Sequence, residues 1–322
     1  MHIALLCNNS KTVRMASPPR IFDRDLHARR LTRAASRFST VDFLKRRAAD
    51  DLVERLEPIN RRFEVAADLG ARGGARDGAF ARALADSPVA DRIGLLVQSD
   101  LAAAMLTGAS GPRLVADEER LPFAAGRLDL VVSSLALHWV NDLVGALIQI
   151  RLALAPDGLF IGAMLGGSTL SELRGALLTA EAELRGGAGP RVSPFADAAD
   201  GAALLQRAGF ALPVIDTDVV TVRYEHPLRL LADLRAMGET SALVERPTVP
   251  LGRAVLSRAC QLYQERHAGP DGRVPATFEI LTMTGWAPHP DQQRPLRPGS
   301  AKARLADALG AVERPAGEKA GG

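Results

Sequence analysis

Val115-Ala116-Asp117-Glu118-Glu119-Arg120-Leu121-Pro122-Phe123, followed by Leu128-Asp129-Leu130-Val131-Val132-Ser133-Ser134-Leu135-Ala136-Leu137-His138-Trp139-Val140, decides the fold. The stretch reads as a strand end, a turn, a second strand, and polar and aromatic residues just past that strand's carboxyl end. Ligands in open α/β sheets bind beyond the carboxyl ends of strands. Acidic and aromatic groups at two such ends point to a site for a nucleoside-containing ligand.

Upstream, Val65–Gly70 reads as a short buried strand running into a glycine-rich turn, with a helix over 79–85 behind it. Ile93–Val97 is a second strand, ending near Asp100. Arg113–Ala116 is the third and Leu128–Ser133 the fourth. Leu143, Leu147, Ile150 and Leu154 recur at helical spacing, stopped by Pro156-Asp157-Gly158, and Leu159–Met164 is the fifth strand. Alternating strands and helices at this pitch imply a doubly wound parallel sheet, an α/β Rossmann-like architecture.

Helical additions flank it. Residues 21–57 are helical and Arg-rich, with Phe38, Val41, Leu44, Leu52 and Leu56 as apolar positions. The basic cluster from Arg24 to Arg47 reads as a solvated helix face; contact with an anionic surface is the alternative. Residues 168–195 read as a helical insertion, Ala202–Ala208 as a helix closed by Gly209, and 228–268 as further helix. Val214–Thr217 and Val219–Tyr224 read as a strand pair joined by a tight polar turn. Residues 1–20 are expected to be a disordered extension, 21–290 the main domain, and 291–322 an extended tail. The acid-free first 22 residues suit either an organelle transit peptide or a translation start at Met15.

The composition narrows the function. A chain of 322 residues with 47% hydrophobic content can bury a large core, and 4% aromatics leaves Ala, Leu and Val to fill it. Forty basic residues against 37 acidic ones give a net charge of +3, which argues against nucleic acid as a partner. No apolar run is long enough to span a bilayer. Cys7 and Cys260 make neither a disulfide framework nor a metal cluster, which suits a reducing cytoplasm.

The series of strands with an antiparallel end is the layout of class I S-adenosylmethionine (SAM) dependent methyltransferases, which the chain resembles. That pattern has an acid followed by Gly-x-Gly-x-Gly. Asp68, Gly70 and Gly74 match it, while Arg72 stands at the middle glycine. Glycine there lets the backbone approach a ligand. Arg72 therefore either crowds the methionine end of SAM or pairs with its carboxylate. Asp100 is placed to accept hydrogen bonds from ribose hydroxyls, or to cap a helix. Asp117 is placed to accept from the adenine amine, with Leu121-Pro122-Phe123 as an apolar wall and Glu118 and Glu119 as solvated neighbours. Ser133 joins these cofactor-binding candidates at the fourth strand. Ser134, His138 and Trp139 lie where an acceptor would sit. His138 is the candidate catalytic base, with a packed core histidine as the alternative. His138-Trp139-Val140-Asn141-Asp142 lacks the spacing of an iron site, so no metal is read.

The resemblance narrows further on Ile21-Phe22-Asp23-Arg24-Asp25-Leu26, the run Val131–Leu143, and Pro156–Met164. Ser193-Pro194-Phe195, Arg207-Ala208-Gly209-Phe210, Asp216-Thr217-Asp218, Asp271–Thr277, Gly285-Trp286 and Arg297-Pro298-Gly299-Ser300-Ala301 extend it over residues 21–305. These resemble the respiratory complex I assembly factor of methyltransferase fold, the arginine-hydroxylase type. The resemblance implies SAM as cofactor, a complex I subunit as protein substrate, arginine hydroxylation, and peripheral association with the inner membrane. The site would be the bacterial cytoplasm, or the mitochondrial matrix in a eukaryote; the Ala- and Arg-rich composition suits a bacterium. The family carries Gly-Cys-Gly where this chain has Gly70-Ala71-Arg72. Malonyl-acyl-carrier-protein methyltransferases share the fold and the Leu-Pro-Phe region and give a second reading. A cofactor-free assembly chaperone is a third.

Overall fold

The computed structural model of the chain describes residues 20–289, with Asp291 and Gly310 besides. The extension and tail expected from the sequence lie outside these residues, save Arg20, Asp291 and Gly310. Met1–Pro288 forms one compact unit and His289–Gly322 a second. The first carries every helix and strand below.

In chain order these are α1 (Arg24–Phe38), α2 (Phe43–Leu56), β1 (Phe63–Leu69), α3 (Ala79–Ala85), β2 (Ile93–Asp100), β3 (Arg113–Val115), β4 (Leu128–Ser134) and α4 (Leu143–Ala153). They continue with β5 (Leu154–Leu165), α5 (Ser171–Arg185), α6 (Ala198–Arg207), β6 (Ala211–Tyr224), α7 (Pro227–Met237), α8 (Arg253–His267) and β7 (Val274–Trp286). The sheet order is β3-β2-β1-β4-β5-β7-β6. Strands β1 to β5 are parallel, and β7 runs antiparallel to both β5 and β6. The order reverses between β1 and β4, which opens a crevice at their carboxyl ends.

Neighbouring residues of each central strand face opposite layers. Ala66, Leu130, Val132 and Ile161 pack with α2, α3, α5 and α8, around Leu52, Phe80, Leu177 and Tyr263. Ala67, Val131, Phe160 and Met283 pack with α4 and α6, around Leu147, Ile150 and Leu205. Each such fully buried Leu or Ile contributes about 1.5–3 kcal/mol. The helical N-terminal region breaks at Ser39–Asp42 into α1 and α2. Asp23 caps α1 by accepting from the Leu26 N–H at 2.9 Å.

The expected hairpin at 214–224 is corrected. Both halves belong to one strand, β6, and its partner is β7, some fifty residues later and beyond α7 and α8. Asp216-Thr217-Asp218 is not a turn. The two aspartates point to one side of the strand and pair with Arg55 and Arg47 of α2, so a polar triplet that reads as a turn is held extended. Before β6 the expected helix is α6, which ends at Arg207 with Gly209 at φ +83° just beyond it; after β6 the helix expected over 228–268 is two, α7 and α8, with 238–252 non-helical between them.

Candidate functional site

The glycine turn after β1 begins the site. Ala71 N–H donates to Ser99 O at 2.9 Å, and the Gly73 and Gly74 N–H groups both donate to Met105 O. Gly70 has φ +68°, and a Cβ there would run into that of Ala136. Gly74 has φ +63° and lies against the Ala35 carbonyl of α1. Both positions thus require glycine. Arg72 takes the left-handed φ of +46° in the turn, where the sequence pattern has glycine.

Asp68 ends β1 fully buried, and neither carboxylate oxygen has a hydrogen-bond partner. Burial raises its pKa, opposed by the nearby Lys45 ammonium. Lys45, from α2, is also buried. Its Nζ donates to Gly70 O at 2.6 Å, to Ser134 Oγ at 3.1 Å and to Ser134 O. It therefore joins the carboxyl ends of β1 and β4. Ser133 Oγ donates to Leu69 O at 3.0 Å and ties the same two strands.

Asp100 closes β2. Its two oxygens accept from the Arg72 N–H at 3.1 Å and the Ala102 N–H at 2.9 Å. Burial pushes its pKa up to about 6. Asp117, after β3, accepts from Arg24 Nη2 at 2.7 Å and the Glu119 N–H at 3.0 Å. Glu118 is not a solvated neighbour. It is buried, pairs with the same Arg24, and approaches Gly70. Glu119 is anchored too, accepting from the Asn141 N–H and side-chain amide.

His138 and Trp139 lie in a 3-10 turn, Leu137–Trp139, after β4. Both reach Glu239, which follows the helix-ending Gly238 of α7: Trp139 Nε1 donates to Oε2 at 2.8 Å, and His138 Nε2 lies 3.2 Å from it. Glu239 also pairs with Arg72. Arg72 Nη2 in turn donates to His27 Nε2 at 3.2 Å, and His27 stacks on Trp139 with centroids 4.2 Å apart. The Arg72 guanidinium, with the His138 hydrogen bond, holds the Glu239 carboxyl well below the usual range, despite burial. Burial, above all, holds His138 and His27 low, so both rings are neutral at pH 7.

The structure brings Asp68, Gly70, Gly74, Asp100 and Ser133 together at the β1–β2–β4 ends. Asp117 joins them through Arg24, and His138 through Glu239 and Arg72. The sequence reading missed four members. Lys45 shares the apolar face of Val41, Ala48 and Leu52, four residues from the first, and that was the available signal. Arg24 and His27 likewise fall on the buried stripe of Leu31, Ala34 and Phe38. The basic cluster is thus a solvated face only at Arg29, Arg33, Arg37, Arg46 and Arg47. Glu239 gave no signal, because its partners lie about 100 and 167 positions away.

Beside this network lies a cavity of about 430 Å³. Its walls are largely aliphatic, with Leu135, Leu173, Leu177 and Leu234, and its polar lining includes Lys45, Arg72, His138 and Glu239. Apolar walls with a few convergent polar groups are the usual form of a ligand site.

SAM would need the strand-end carbonyls, a ribose acceptor and room above the glycine turn. Asp68 keeps free acceptors, which suits a ligand. The rest does not. Lys45 caps the carbonyls, Arg72 crosses to Glu239, and His27 covers Trp139. The residues as arranged do not fit the cofactor.

Residues 72–162 match the family described as "Methyltransferase domain". The YcgJ protein of Bacillus subtilis aligns over 74% of this chain and 98% of its own, with a TM-score of 0.51 at 13% identity, a likeness of fold. A malonyl-[acyl-carrier protein] O-methyltransferase of Halorhodospira halophila is 36% identical over 82% of this chain and 88% of its own. The mitochondrial arginine-hydroxylase NDUFAF5 of Danio rerio is 40% identical over 89% of each chain. That of Homo sapiens is 42% identical over 87% of this chain and 81% of its own. With 40–42% identity over nearly nine-tenths of its length, this chain belongs to the NDUFAF5 arginine-hydroxylase family of enzymes, built on the class I SAM-methyltransferase fold.

Proposed function

We propose that the protein acts in respiratory complex I assembly by hydroxylating an arginine side chain of a complex I subunit. The observation that carries this reading is the 42% identity to the human arginine-hydroxylase, against 36% to the malonyl-carrier enzyme. The cavity suits such a side chain. Aliphatic walls suit its methylene stem, and His138 and the Glu239 carboxylate are the lining groups that suit its guanidinium. His138 is neutral and lines the cavity, with Nε2 3.2 Å from Glu239. In this role His138 is the residue that touches substrate, and Glu239 positions it.

The reaction replaces a C–H bond by C–OH. This is a two-electron oxidation, and its oxidant comes from outside the described residues. The protein works where complex I is assembled, on the cytoplasmic side of a bacterial inner membrane or in a mitochondrial matrix. Its attachment there is peripheral; among the described residues no helix is long and apolar enough to cross a membrane. Residues 21–290 act as the working domain.

Intact-mass analysis of complex I subunits co-expressed with the protein tests this. One subunit gains the mass of one oxygen atom. A methyl ester formed on malonyl-acyl-carrier protein would instead support the malonyl-carrier reading. Unmodified subunits whose assembly still depends on the protein would support a chaperone.

A further inference from the structure

We propose that the cofactor crevice of this protein is closed from within, by Lys45, Arg72 and His27, and that the folded wild-type chain takes up no SAM. The inference concerns this chain's own residues and does not depend on which subunit is modified.

SAM carries an α-ammonium, an α-carboxylate, a ribose diol and an adenine. In this fold each must find a partner at the β1/β4 crevice. Two carbonyls converge there, Gly70 O and Ser134 O, and a ligand ammonium is their natural donor. The ammonium present is Lys45 Nζ, which also meets Ser134 Oγ at 3.1 Å. Lys45 thus supplies from α2 the charge that a ligand would bring.

Arg72 fills the next position. A glycine at φ +46° would leave the space above the turn open. The arginine instead runs buried from the turn to Glu239 and His27. A ligand carboxylate would have to displace Glu239, which also accepts from Trp139 at 2.8 Å. Breaking a buried pair by removing one partner is strongly unfavourable. His27 completes the closure. Its ring lies on Trp139 with an interplanar angle of 23°, as a stacked base would.

Each cation of the site is engaged without a ligand. Lys45 faces Asp68 and Asp100, Arg72 faces Glu239, and Arg24 faces Asp117 and Glu118. Here only Asp68 lacks hydrogen bonds, and Lys45 offsets its charge.

Titration of the purified full chain with SAM and with S-adenosylhomocysteine, by calorimetry and by Trp fluorescence, tests this directly. Wild type should give no saturable heat, no quenching of Trp139, and no rise in melting temperature, which any ligand of the native state would cause. Arg72→Gly should bind at least about tenfold more tightly than wild type. Should loss of a buried charge unfold that variant, His27→Ala opens the face of Trp139 without removing one, and it too should gain affinity. Near-ultraviolet circular dichroism reports whether each variant is folded. Saturable binding of one SAM per wild-type chain would overturn the proposal. So would folded variants that bind no better than wild type.

Discussion

Glu239 is the hub on which the site turns, and its ionisation sets a pH signature. Its folded-state pKa lies well below the ordinary value of 4.5, because Arg72 pairs with it and His138 hydrogen-bonds to it. A depressed carboxyl contributes stability above its unfolded pKa and loses it as pH falls through and below that value. Glu239→Gln leaves the Arg72 charge buried and unpaired, which costs about 3–5 kcal/mol at pH 7. Urea denaturation should show that gap at neutral pH, shrinking as pH drops below the ordinary carboxyl value. A gap of equal size in acid would mean that Glu239 acts by packing alone. Such residues also mark the limit of sequence reading. Asp68, Gly70, Asp100 and Asp117 were legible because strand ends announce themselves. Lys45 and Arg24 were not, because lysine and arginine on a helix are most often solvated.

Among the elements, the glycine turn and the last two strands make the sharpest claims. Gly70→Ala combines a left-handed backbone, costing roughly 1–2 kcal/mol, with a collision against Ala136 that adds about 1–3 kcal/mol. The variant should show a lowered urea midpoint; an unchanged one would refute the packing described for the turn. Strand β7 is paired on both sides, by β5 and β6, whereas β6 is an edge. Amide exchange should therefore be slower across Val274–Trp286 than across Ala211–Tyr224. Equal protection would mean that another strand covers the β6 edge. Strands β1, β4 and β5 were readable because buried parallel strands are apolar runs, whereas β3, Arg113–Val115, is short and largely exposed. Strand β7 was not readable: Pro275, Thr277, Glu279, Thr282 and Thr284 break its apolar pattern, and its neighbours in space are remote in sequence. Asp216 and Asp218 misled for a similar reason, since only the arginines of α2 make them compatible with a strand.

For the molecule as a whole, the fold and the chemistry separate. The methyltransferase architecture supplies a sheet, a crevice and a cavity, but the crevice holds the chain's own cations. The cavity beside it, with His138 and Glu239 in its lining, is the proposed space for a substrate side chain. The most direct test is peptide mapping, by mass spectrometry, of complex I subunits isolated with and without the wild-type protein, and with His138→Gln. The account predicts one added oxygen on a single arginine in the presence of wild type, absent without it and strongly reduced with His138→Gln. An added methyl group on that peptide, or an arginine hydroxylated equally in all three samples, would contradict it.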